Sequence, residues 1–189
     1  FGDSPPDHYD YDPTNPVPTM GGPMMHAQYG GAQDRRPIER RDDILVYTSE
    51  PLESDMEITG PVTMTLYASS TAPDTDFTAT LVDVHPDGRA INICEGLRRA
   101  RFRDSIEEPT LIEPGTVYQY QIDLWETSNV FKMGHRLRVE VSSSNFPRFD
   151  RNLNTSHQPG MDAEIQVARQ TVYHDSRHPS RITLPVIPH

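Results

Sequence analysis

From Ile44 onward, apolar and polar residues alternate with a period of two. That is the spacing of strands with one face in a core and the other in water. Ile44 to Thr48 predicts a first short strand. In Val62 to Ala68, the residues Val62, Met64, Leu66 and Ala68 face one way and Thr63, Thr65 and Tyr67 the other. Phe77, Ala79 and Leu81 alternate in turn with Thr78, Thr80 and Val82. His85-Pro86-Asp87-Gly88 then supplies a tight reversal, and Ala90 to Cys94 pairs back as the second arm of a hairpin. Leu97 to Phe102 predicts a basic strand, and Pro114-Gly115 a turn. Tyr118, Tyr120, Ile122 and Leu124 line one face of the next strand, and Leu137, Val139 and Val141 one face of another. Ile165 to Tyr173 and the alternating Ile182, Leu184 and Val186 complete the pattern. No stretch longer than about two turns reads as helix.

About ten short strands separated by turn signals indicate an all-β fold, an antiparallel sandwich with a shared core. The expected topology is a jelly-roll β-sandwich, of the galactose-binding-like type. Residues 1–43 stand apart. Pro5-Pro6, Asp12-Pro13, Asn15-Pro16, Val17-Pro18 and Gly21-Gly22-Pro23 punctuate them too densely for a helix or a central strand. The expected division is therefore an extended connector over 1–43, lying against a surface, and the sandwich over 44–189.

Composition sharpens this picture in three ways. The hydrophobic fraction of 34% is low for a globular domain, and the deficit falls mainly in residues 1–43. A net charge of -11 argues against a nucleic-acid partner and against an anionic membrane surface. Cys94 is the single cysteine, so no internal disulfide can form; a small buried hydrophobe in a strand is its expected role. No apolar run approaches the ~18 residues of a membrane span, and no signal peptide is visible.

The residues that could carry chemistry point mostly elsewhere. A hydrolase nucleophile elbow needs glycines on both sides of its serine, and Ser142-Ser143-Ser144 ends a strand with no flanking glycine. His174 and His178 are spaced as metal ligands on a helix, but they fall in a loop before Pro179, where solvated histidines are expected. Asp74, Asp76, Asp83 and Asp87 are hard-ion ligands by type, yet they lack a calcium-loop pattern; turn and cap roles are expected. Neither a metal nor a cofactor is expected. Asn154-Thr155-Ser156 matches the glycosylation triplet. Trp125, the lone tryptophan, follows a core-like strand and is expected in the core or at an interface.

Several motifs share one order along the chain. They are Tyr11-Asp12-Pro13 through Gly21-Gly22, Gln33-Asp34-Arg35-Arg36-Pro37 through Tyr47, Thr59-Gly60-Pro61-Val62, and Asp74-Thr75-Asp76-Phe77. Asp83-Val84-His85-Pro86-Asp87-Gly88, Gly134-His135-Arg136 and the run Ser142 to Thr155 follow. In these motifs the chain resembles the C-terminal β-domain of the cocaine esterase / X-Pro dipeptidyl-peptidase (CocE/NonD) serine hydrolases. The resemblance implies a parent enzyme that cleaves esters or amides through an acyl-enzyme. Its catalytic α/β-hydrolase and helical cap domains would lie upstream of Phe1 and be the partners of this domain. No catalytic residue of the family has a counterpart here, so the chain alone is expected to be inactive. The same resemblance places Met24 and Met25 beside the acyl pocket, with filling of a domain interface as the alternative. A free-standing carbohydrate- or ligand-binding sandwich and an oligomerisation domain are the competing readings. A bacterial cytoplasmic protein is the expected setting.

Overall fold

The computed structural model describes residues 4–26, 28–161 and 163–188. Its strands are β1 (Asp7–Tyr11), β2 (Leu45–Thr48), β3 (Met56–Ser70), β4 (Asp76–Val84), β5 (Ala90–Arg99), β6 (Tyr118–Phe131), β7 (Arg136–Ser142), β8 (Ala168–Tyr173) and β9 (Arg181–Thr183). A 3-10 turn, Ala100–Phe102, follows β5. One sheet has the order β1-β8-β3-β6, with β9 also on β3; the other has the order β2-β7-β4-β5. Every pairing is antiparallel. The first half of the chain thus pairs with the second in nested fashion: β1 with β8, β2 with β7, β3 with β6, β4 with β5. That order is a jelly roll, the expected architecture.

The core lies between the sheets, built from the inward half of each alternating strand. Ile58, Val62 and Leu66 of β3, Phe77 and Leu81 of β4, and Ile122, Leu124 and Phe131 of β6 are fully buried. Phe77 and Tyr120 meet across the two sheets with ring centroids 4.8 Å apart. Burying one such aromatic or aliphatic side chain contributes about 1.5–3 kcal/mol.

The structure differs from the sequence expectation at several places. Asp7–Tyr11, inside the stretch read as connector, is the first strand of the roll, at a sheet edge where proline neighbours are tolerated. The basic strand expected to reach Phe102 stops at Arg99. The strand expected from Ile165 starts at Ala168. Of the last expected strand only Arg181–Thr183 is regular, with one further bridge between Ile58 and Val186. Trp125 is not in the core. On β6, Leu124 and Trp125 together oppose the single Val62 of β3, a bulge with Trp125 at φ 70°. The extra residue re-aims the side chain outward, leaving Trp125 64% exposed while Leu124 stays buried.

All nine residues of β4 are buried, which requires cover on its outer face as well. Residues 17–20 and 35–44 supply it. Val17, Arg35 and Ile44 pack over Thr78 and Thr80 of β4 and Glu140 and Ser142 of β7. Val17, Ile38 and Ile44, with Met20, form a small satellite core. Asp34 forms a bridge with Ile91 on the edge of β5. The proline-rich stretch is therefore a strap across the second sheet.

Candidate functional site

The run from Ser142 to Thr155 carries the strongest sequence signal, and its side chains are structural. Ser142 Oγ donates to the Asp43 carbonyl at 2.7 Å. Ser143 Oγ meets the Tyr9 hydroxyl at 2.9 Å, both buried. Ser144 Oγ accepts from the Val17 amide at 2.8 Å. Three consecutive serines thus fasten three points of the N-terminal stretch, which explains why small hydroxyls stand where β7 ends. Phe146–Pro147 is a cis peptide, and Phe146 exchanges backbone hydrogen bonds with Val17 and Thr19. Asn154 takes φ 61° and is fully buried, its amide donating to the Gln166 carbonyl at 2.7 Å. A glycan therefore cannot be carried there by the folded chain.

The aspartates considered as calcium ligands are engaged by arginines and histidines. Asp74 pairs with Arg101 at 2.7 Å and Asp76 with Arg99 at 2.8 Å, all four largely buried. Asn152 Nδ2 donates to both carboxylates, at 2.8 and 2.9 Å. Burial pushes the Asp76 carboxyl up, and Arg99 and Asn152 oppose that shift. Asp87 accepts from the backbone and side chain of Arg89 at the β4–β5 hairpin tip. Asp83 faces His135 and His85. The two loop histidines are apart in their bonding: His174 meets Asp7 at 3.0 Å, and His178 meets Asp175 at 3.2 Å.

The expected pocket residues, Met24 and Met25, sit on a loop with a closed stem. The Gly21 amide donates to the Tyr29 carbonyl at 2.7 Å, and Gly22 and Gly31 exchange amide–carbonyl bonds of 2.9 and 2.8 Å. The His26 and Tyr29 rings stack 4.6 Å apart. Gly21 and Gly22 hold φ near 85° and 87°, and a Cβ on either would collide with Asn92 or Glu95. Glycine alone lets the loop leave the sheet at this point. Met25 is fully exposed at the tip and Met24 half-buried. Beside the loop runs a groove of about 490 Å³, lined by Gly22, Pro23, Ile93, Cys94, Leu124 and Trp125 among others. Of its two acidic residues, Glu95 and Glu126, the first is tied to Arg148 at 2.6 Å. Burial first, and Glu95 second, push the Cys94 thiol up to about 12. Sequence reasoning missed the groove because the bulge that exposes Trp125 leaves the alternation of β6 intact up to Leu124.

The profile of the X-Pro dipeptidyl-peptidase C-terminal non-catalytic domain matches residues 2–183. Cocaine esterase of Rhodococcus sp. (strain MB1 Bresler) is 50% identical over 184 residues, 96% of this chain and 32% of that protein. A solved α-amino acid ester hydrolase superposes with a TM-score of 0.88 at 30% identity, over 97% of this chain and 33% of that one. An aminopeptidase from a marine sediment archaeon, Thaumarchaeota archaeon, gives 0.91 at 29% identity, over 99% of this chain and 34% of that one. The chain spans about a third of the length of each of these relatives.

Proposed function

Because the chain belongs to the X-Pro dipeptidyl-peptidase C-terminal non-catalytic domain family, we propose that it is the closing domain of a serine hydrolase acting on esters or amides. It stabilises the catalytic α/β-hydrolase and cap domains of the parent and completes the wall of their active site. The chain by itself does no chemistry. The observation that supports this reading is the exposure of three large apolar side chains, Met25 and Tyr29 on the loop and Trp125 in the groove beside it. Large apolar side chains held on a stiffly closed loop mark a surface made to be covered. In the parent, the family resemblance puts Met24 and Met25 beside the acyl pocket, where a flexible thioether suits varied acyl groups.

In the parent enzyme, Met24→Ala and Met25→Ala should change the ranking of acyl groups across a panel of esters, with little change in melting temperature. Trp125→Glu should loosen the docking of this domain, seen as faster proteolysis between domains. An unchanged ester ranking would assign the two methionines to interface filling alone. A ligand-binding module remains the second reading, favoured by one feature: a cleft of about 540 Å³ between the sheets, floored by Met64, Val139, Val172 and Ile182 and rimmed by Asp7 and His174.

A further inference from the structure

At the far end of the β4–β7 ladder from the serine run, the described residues hold one group of three side chains able to ligate a metal: Asp83, His85 and His135. The strand register puts them together. Asp83 pairs with Leu137 and Val84 with Arg136, so one step further along the ladder His85 stands opposite His135. Directly opposed residues and residues two apart on a strand share a face. Asp83, His85 and His135 therefore share one face around a single ladder square. The turns that carry the histidines are themselves fixed. His85 closes the β4–β5 reversal through bonds to Arg89 and Gly88 of 2.8 and 2.9 Å. The His135 amide donates to the Lys132 carbonyl at 3.0 Å. The Asp55 side chain ties the same turn through Lys132 and the Met133 amide, both at 2.8 Å.

The atoms are near ligand spacing. His135 Nδ1 lies 2.8 Å from Asp83 Oδ1, and His85 Nε2 lies 3.7 Å from Asp83 Oδ2. All three ligand atoms fall within 4.8 Å of one another. Bonds of about 2.0–2.1 Å to a tetrahedral zinc ion put neighbouring ligands roughly 3.4 Å apart, between the two spacings seen. The imidazole rings lie 4.4 Å apart at 37°, so both can turn a nitrogen to one point. Asp83 is buried, with His135 13% and His85 26% exposed, which leaves one open side toward water.

We propose that Asp83, His85 and His135 form a binding site for a divalent transition-metal ion of the zinc class. Two imidazoles and one carboxylate suit zinc, nickel or copper and disfavour calcium or magnesium, which take oxygen ligands. On binding, the His135 Nδ1 that meets Asp83 at 2.8 Å and the His85 Nε2 that faces it at 3.7 Å each present a lone pair to the ion, with the neutral ring's single proton on its other nitrogen. For His85 that other nitrogen, Nδ1, lies 3.4 Å from Arg89, a half-exposed side chain tied to Asp87 that can swing aside. The ion clamps the β4–β5 hairpin to the β6–β7 turn and keeps its fourth position for water. The inference is independent of the docking face, which lies on the loop and groove described above.

The test is calorimetric titration of the chelator-treated 189-residue chain with zinc chloride, followed by the cobalt(II) absorption spectrum of the same site. We expect saturable one-to-one binding and a visible cobalt spectrum with nitrogen ligation. His85→Gln alters a turn side chain outside the core and should weaken zinc at least about tenfold. Asp83→Asn should do the same, whereas His174→Gln and His178→Gln should leave the affinity unchanged. The absence of saturable one-to-one binding, or full zinc affinity retained in His85→Gln, would overturn the proposal. Loss of affinity in the His174→Gln or His178→Gln chain would place the ion elsewhere and overturn it equally.

Discussion

Arg35 is the residue through which the N-terminal strap is most heavily anchored, and its removal should be costly. Its guanidinium donates to both oxygens of Glu140 on β7, with Nε 3.0–3.1 Å from each, and Nη1 reaches the Met20 carbonyl at 2.6 Å. The two side chains are 6% and 3% exposed. Arg35→Met keeps an unbranched apolar stem and removes the charge and its donors. Glu140 is then left buried beside Glu39 with no cation of its own, and breaking a buried pair in this way costs about 3–5 kcal/mol. For a domain of this size that is roughly a 6–20 °C fall in melting temperature. The pH dependence has a definite sign. Burial raises the Glu140 carboxyl above its ordinary value, with Arg35 opposing. Without Arg35 the rise is larger, so the folded state holds the proton to higher pH than the unfolded chain does. The deficit should therefore be small near pH 4, where both states carry the proton, and grow as pH rises toward neutrality. Urea unfolding at several pH values measures it. Arg35→Met/Glu140→Leu should recover more than half the loss, because an apolar pair can replace a buried ion pair at little cost. A loss below about 1 kcal/mol at neutral pH, the range of surface pairs, would refute the reasoning.

Three further outcomes follow from particular contacts. Gly96 lets β5 approach β6 so closely that a Cβ would sit 1.9 Å from the Asp123 carbonyl oxygen; Gly96→Ala should cost at least about 1–3 kcal/mol in thermal unfolding. Asn152→Ala removes the amide shared by Asp74 and Asp76, leaving two buried carboxylates each short of a donor, and should cost about 1–3 kcal/mol by urea denaturation. With its thiol pushed up to about 12 by burial and by Glu95, Cys94 is neutral until strongly alkaline pH. Iodoacetamide at about pH 7–9 should leave it unlabelled in the folded chain while labelling it in urea; equal rates by mass spectrometry would contradict its burial.

Much of the fold was legible in the alternation of apolar and polar residues. The inward residues of β3, β4, β6 and β7 could be read one by one because they alternate toward the core between the sheets; the cover on the outer face of β4 was not legible. β1 was not legible: only Tyr9 and Tyr11 point inward, and prolines close by suggest a linker. Which of its two expected places Trp125 takes was not legible, because a bulge depends on the partner strand, here the single Val62 opposite two residues. Met24 and Met25 were found through family motifs, and their local sequence carries no chemical signal of its own. The juxtaposition of Asp83 and His85 with His135 was invisible for another reason. It rests on the register between β4 and β7, strands far apart in the chain that the jelly roll brings side by side. The signature serines illustrate the reverse: a recognisable motif whose side chains fasten β1 and the strap in place.

The central claim is that this domain carries no catalytic nucleophile of its own. Incubating the 189-residue chain with a fluorophosphonate, which modifies activated serines, and weighing the intact protein tests it most directly. We expect an unmodified mass of 21.4 kDa. A stoichiometric adduct on any serine, lost when a histidine is replaced, would contradict the claim.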